Sequence, residues 1–110
     1  MKTKQTVLTT SVVALVDLSR HLFVGANGAI CAAGAKALGT GAADTQADNV
    51  APVDVLGICL VIAGAAIASG AEVESNAAGQ AITLTTGKSN GIALDAAAAA
   101  GDVIRIVRGI

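Results

Sequence analysis

Hydrophobic and polar positions alternate along this chain in short bursts, with turn-forming residues between them. In AITLTT, residues 81–86, Ile82 and Leu84 fall on one side and Thr83 and Thr85 on the other, a period of two. DVIRIVRGI, at the end of the chain, places Ile104 and Ile106 on one face and Arg105 on the other. VDVLGICLVI, from Val53, is apolar at both parities, which predicts a strand covered on both faces. Near the start, Thr6, Val7, Thr9, Thr10, Val12, Val13 and Val16 make a β-branched stretch that favours extended backbone. Asn27-Gly28 between HLFVG and AICAAG predicts a hairpin. IASGAEV reads as strand, turn, strand, and SNAAGQ and GKSNG are further turns. Residues 36–54, rich in small and polar side chains and holding Pro52, read as a long exposed loop. The pattern predicts an all-β chain, a small barrel or sandwich with at most one or two short helical turns. An extended N-terminal arm is expected over residues 1–19 and a single small β domain over 20–110.

The run LDAAAAAGD is the one candidate for helix. Asp95 is a good N-cap, alanine the best helix former, and Gly101 suits the far end. Five alanines are too few to hold a helix alone. The run is therefore expected to be a compact connection, held by the strands at 91–94 and 102–107, whose methyl surface packs closely. A faint repeat accompanies it: Gly39, Ala47, Val55, Gly57 and Ile58 recur one unit later as Gly91, Ala99, Val107, Gly109 and Ile110. If genuine, each half uses a Gly-led strand, a small-residue connection and a returning strand.

Composition adds a shortage. Of 110 residues 54% are hydrophobic, yet Phe23 is the only aromatic and much of the rest is alanine and glycine. Small side chains remove little area from water, at roughly 25 cal/mol per Å², so burial against other subunits is expected to add to the core. The net charge is −1, with Lys2 and Lys4 alone in the first sixteen residues and an acidic balance after them. No basic excess and no set of stacking aromatics exist, which argues against nucleic acid. Cys31 and Cys59 match no metal spacing and read as buried thiols, although spacing leaves a disulfide open. The uncharged run between Asp54 and Glu72 is short for a spanning helix and broken by Gly57, Gly64 and Gly70, so no membrane is expected. The N-terminus loosely imitates a signal peptide, but TTS interrupts its apolar part.

No catalytic constellation emerges. His21 lies near Ser19 and Asp17 without a nucleophile motif. Glu72 and Glu74 alternate along one strand and read as a solvated face in the absence of a third ligand. The glycine-rich segments lack the phosphate-loop pattern. No enzyme activity, cofactor or metal is expected. Two other classes stay open: a small β module binding a carbohydrate or other ligand, against which the missing Trp and Tyr argue, and a small exported or membrane-associated protein.

The second half of the chain also resembles a known family, the capsid cement or head decoration proteins of tailed bacteriophages. Members show a strand near VxVxGxxxVxAGxAIxxGxxV, a DxxGxA turn and a closing GxALDAAAAAGDxIxV. Here Ala63-Gly64, Ile67, Gly70 and Val73 fit the first pattern, Ala78-Gly79-Gln80-Ala81 the turn, with Asn76 where Asp is common, and residues 91–106 the close. HLFVGANG is similar to the early FVG element of the family. The resemblance covers about residues 20–108 and is weakest over the first nineteen. It implies a non-enzymatic virion protein, made in the host cytoplasm, that binds the outer head surface, commonly as a homotrimer, and clamps subunits of the major capsid protein.

On that reading Lys2, Lys4, Thr6, Val7, Leu8, Val12 and Val13 form a capsid-binding arm. Residues 6–16 would be loosely held in the free protein and would add a strand to a capsid sheet. The two lysines would favour an acidic capsid surface. Val53, Val55, Leu56, Ile58, Leu60 and Ile62 would form the subunit interface, and three weak attachments would multiply through effective concentration.

Overall fold

The computed structural model describes residues 3–109. It is all-β, a curled half-barrel sheet, with no helix among the described residues. Among the described residues eight strands follow in order: β1 (Gln5–Val13), β2 (Phe23–Val24), β3 (Gly39–Gly41), β4 (Val50–Ile62), β5 (Val73–Ser75), β6 (Ala81–Thr83), β7 (Ile92–Ala93) and β8 (Val103–Arg108). The main sheet runs β2-β3-β4-β8-β7, with β1 paired to β4 beside that path, and β5-β6 forms a separate two-stranded sheet. Every strand pair is antiparallel.

β4 organises the molecule. Thr40 and Gly41 of β3 pair with Asp54 and Val53, and β8 pairs from Gly57↔Arg108 to Ile62↔Val103. β1 pairs with the same stretch, from Gln5↔Ile58 to Val13↔Val50. A strand has two edges, so β3 and β8 share one edge of β4 in succession and β1 takes the other. Although this strand is apolar at both parities in sequence, its burial is sided: Ala51, Val53, Cys59 and Val61 are buried, while Ile58, Leu60 and Ile62 are half-buried and Val50 and Leu56 exposed.

Two clusters fill the interior. One gathers Phe23, Cys31, Cys59, Val61, Val73, Ile104 and Ile106 with several alanines. The other holds Ala14, Leu18, Val24, Ala51 and Val53, with Val12, Ile30, Leu38 and Val55 against it. Phe23 and Val24 are successive residues of one strand and so point to opposite sides, which puts each in a different cluster. The expected arm therefore does not stand apart from the body. Ala14 and Leu18 lie in the second cluster and β1 is a strand of the main sheet, so the division at residue 19 crosses a packed unit.

Local expectations meet mixed outcomes. The Asn27-Gly28 hairpin forms: the Gly28 N–H donates to Gly25 O at 3.1 Å, and Val24 bridges to Ile30. The SNAAGQ turn forms as well, with Asn76 Oδ1 accepting the Ala78 and Gln80 N–H groups, each at 2.9 Å. The long loop of 36–54 does not persist, because β3 lies inside it and β4 starts at Val50 and contains Pro52. Glycine makes that pairing possible, since a Cβ at Gly39 would collide with the Asp54 carbonyl. Close approach of two backbones is a tertiary demand that reads locally as a flexible segment.

The five alanines form an irregular connection, a bridge at Ala97 followed by bends at Ala98 and Ala99 and a turn at Ala100, with no helix. Ala97 is buried and exchanges both hydrogen bonds with Ile67, N–H to Ile67 O at 2.9 Å and Ala97 O from Ile67 N–H at 3.0 Å. Asp95 does not cap a helix. Its Oδ2 accepts the Arg105 N–H and Nε–H, both at 3.0 Å, and its Oδ1 accepts Nη2–H at 2.9 Å. Asp102 Oδ2 takes the Ala98 N–H at 2.9 Å. The connection is compact, as expected, and two carboxylates hold it.

Candidate interaction surface

The exposed large hydrophobic side chains are unevenly placed. Among the described residues Val7, Leu8, Val13, Leu15, Val16, Val50 and Leu56 all belong to β1, the residues just after it, or the strand it pairs with, and Leu94 is the one outside this group. Val7 is 81% exposed and Val50 66%. Cross-strand pairing sets Leu8 against Leu56 and Val13 against Val50, so the side chains form joined pairs. Only Thr6 and Val12 of β1 are even half-buried. Beyond it no further strand pairs among the described residues, which leaves main-chain groups at its outer edge open to a partner strand as far as Val13, where the Gly28 backbone closes on the Val13 carbonyl.

β1 is seated by specific contacts. The carboxylate of Asp54 is buried, its side chain 3% exposed, and it accepts Lys4 Nζ–H at 2.9 Å and Thr9 Oγ1–H at 2.9 Å. Ala14 N–H donates to Asn49 O and Ala14 O accepts the Asp48 N–H, while Leu15 N–H donates to Gly28 O. Register shifts fall between Thr6 and Leu8 and between Leu8 and Thr9. Gly57, opposite Thr6, has φ +101°, and a Cβ there would sit 2.5 Å from Gln5 O and 2.8 Å from Val7 N. Only glycine allows β1 to approach this closely.

A second surface lies on the half-buried face of β4, β8 and β7. Ile92, Val107 and Ile58 pair in a row across three strands, and Val103 pairs with Ile62. Leu60 faces Arg105, whose guanidinium is neutralised by the bidentate contact with Asp95.

The sequence-derived site residues fall across these surfaces. Val7, Leu8 and Val13 are exposed on β1, Val12 packs inward, and Thr6 is half-buried with its Oγ1 unpartnered. Lys2 lies outside the described residues. Lys4 forms an ion pair with Asp54. Of the interface set, Leu56, Ile58, Leu60 and Ile62 reach the surface, Val55 packs against the second cluster, and Val53 is fully buried in its own core. Alternation separates Val53 from the surface, because it shares the inward parity of Ala51. Leu15, Val16 and Val50 were legible only as apolar residues, and Asp54 and Thr9 as ordinary strand residues. Only pairing reveals their roles.

Other candidates resolve into architecture. Glu72 is exposed but Glu74 is buried, with Oε2 accepting the Gly87 N–H at 2.7 Å and Oε1 accepting Thr85 Oγ1–H at 3.0 Å. It holds the GKSNG turn and shares no site with Glu72. His21 adopts φ 65° and its carbonyl accepts the Ile62 N–H. Partial desolvation, then the charges of Arg20 and Lys4, hold its imidazole below the usual value of 6.5. Cys31 and Cys59 are free and buried, and burial raises both thiols. No helix among the described residues is long and apolar enough to cross a membrane.

The family model for phage cement proteins matches residues 1–108. The chain belongs to the phage cement protein family. Its fold is similar to that of the head fiber gp8.5 N base of bacteriophage phi29, with a TM-score of 0.78 and 17% identity over 93% of each chain. No curated protein matches it in sequence. The family expectation from the sequence therefore holds, and the cement chain is a structural protein of the phage head.

Proposed function

We propose that this cement protein binds the outer surface of the phage head and ties together neighbouring subunits of the major capsid protein. The carrying observation is the coincidence, at β1, of an open strand edge with nearly all the exposed large hydrophobic side chains among the described residues. A capsid strand would add to the outer edge of β1, with main-chain hydrogen bonds supplying affinity and Val7, Leu8, Val13 and Leu15 supplying apolar contact. Because β1 is already ordered on β4, little conformational entropy is lost on attachment. The row Ile92–Val107–Ile58, with Leu60 and Ile62, would join copies of the chain into the expected homotrimer, and the trimer would multiply three modest attachments.

The test is co-pelleting with emptied, expanded heads. Removing residues 1–16 would also strip Val12 and Ala14 from the core, so exposed positions are the better probes. A Val7→Glu, Leu15→Glu double variant should keep its circular dichroism and melting temperature while head binding falls at least about tenfold, a loss of about 1.4 kcal/mol or more. Undiminished binding by the folded variant would refute attachment through β1. Leu60→Glu should lower the sedimenting mass of a self-associated protein to that of one chain; an unchanged mass would remove the second surface from the reading.

A further inference from the structure

β1 is two elements in one. Its root, from Thr9 onward, is continuous in register with β4 down to Val13↔Val50 and is tied to the core through Val12 and Ala14. Its tip, residues 3–8, contains the register shift between Thr6 and Leu8 and is set off from the root by the shift between Leu8 and Thr9. Within the tip the pairing is only Gln5↔Ile58, Thr6↔Gly57 and Leu8↔Leu56, and its one side-chain anchor is Lys4 on the buried carboxylate of Asp54. Val7 stands almost wholly in water and the Thr6 hydroxyl is enclosed without a partner. The slot that receives the tip is specific. It offers the β4 edge at Leu56–Ile58, the opening left by Gly57, and Asp54 at its end.

We infer that this slot is a strand-acceptor site whose partner is residues 3–8 of a second copy of the chain. The fit needs no new complementarity, because the intramolecular pairing already shows that this sequence fills this slot. The register shifts supply the point where the tip can separate while the root stays packed. Exchange swaps identical contacts, so its balance is set by local concentration and by relief of the irregular pairing at Thr6–Thr9. A six-residue tip reaches roughly 20 Å when extended, against a shortest molecular extent of 24 Å. Exchange is therefore confined to copies already in contact, and it would link cement subunits to one another independently of how they hold the shell.

The experiment uses the full chain carrying Gln5→Cys and Ile58→Cys, the registered pair, as an equal mixture of unlabelled and ¹⁵N-labelled protein. The mixture is concentrated, oxidised and digested, and the peptides joined between positions 5 and 58 are weighed. Exchange predicts mixed-label linked peptides, approaching half of the total at full exchange. Linked peptides carrying one label only would overturn the inference, and absence of any 5–58 link would overturn the pairing on which it rests. A second route avoids cysteine. Lys4→Asp and Asp54→Lys chains each repel their own tips, but mixing them restores opposite charges only if tips are traded. Native mass spectrometry should then show a mixed complex that neither chain forms alone; two unchanged monomer peaks would count against exchange.

Discussion

Asp54 shows how one side chain couples β1 to the rest of the fold. Its carboxylate is desolvated and accepts hydrogen bonds from Lys4 and Thr9. Lys4 keeps 40% of its side chain in water, so the ionic share is small, and the larger part is the acceptor role itself. Asp54→Ala should lower unfolding stability by about 2 kcal/mol, measured by urea titration, and should speed amide exchange in the first half of β1 more than in the second. Arg108 presents the opposite case. Its Nη2–H reaches Ala37 O at 3.0 Å, but Nε and Nη1 are buried without partners, and desolvation lowers its pKa. Replacing such a group with an apolar side chain of similar length is often neutral or stabilising. Arg108→Met is therefore expected to leave the melting temperature unchanged or raise it, and a clear drop would show that the guanidinium has a partner. His21 adds a pH dependence. Its folded pKa lies below the unfolded value of 6.5, so the unfolded chain binds the proton more readily. Its contribution is fully present above that value and is lost as pH falls through it toward the folded pKa. His21→Asn keeps a residue tolerant of φ 65° and should flatten the fall in urea midpoint between about pH 7 and pH 5.

At the scale of elements, the pairing of β1 with β4 depends on backbone proximity more than on side-chain packing. Gly57→Ala would add a Cβ against Gln5 O and Val7 N at a positive φ. It should cost about 1–3 kcal/mol, and the loss should be smaller in a chain whose tip residues are removed. Equal losses in the two backgrounds would place the strain in β4 alone. The alanine connection behaves differently. It has no helix to lose, and its order comes from Asp95, Asp102 and the Ala97–Ile67 bridge. The faint repeat corresponds to two strand pairs, β3 with β4 and β7 with β8, but their registers differ. Thr40 pairs with Asp54, whereas Ile92, the residue aligned with Thr40, pairs with Val107, one position past the residue aligned with Asp54.

For the whole molecule, a core with one aromatic and many alanines leaves apolar area on two faces. One lies around β1 and the other across β4, β8 and β7. On the proposed reading, their separation would let a cement subunit meet the shell and its own copies at once. Because the first surface sits on an ordered edge strand, the folded chain should bind heads without a disorder-to-order step. The circular dichroism of free and head-bound protein should then differ little in strand content, and a large gain on binding would mean that β1 is unformed in solution.

The sequence alone determined what depends on local chemistry. While the strand expected over 81–86 formed only over Ala81–Thr83, alternation at 103–108, the Asn27-Gly28 hairpin and the SNAAGQ turn are set by neighbours in the chain, and they formed as expected. So did the apolar character of β1 and β4, and with it the family likeness. Tertiary structure decided the rest. Glycine looks the same in a loop as beneath a neighbouring backbone, so β3 lay concealed in an apparent loop. Asp54, Glu74 and Asp95 carry the charge of ordinary surface residues until a distant N–H, hydroxyl or guanidinium is brought to them. Whether β1 is an arm or a strand depends on whether β4 has a free edge beside it, and that edge exists only after β3 and β8 have together taken the other.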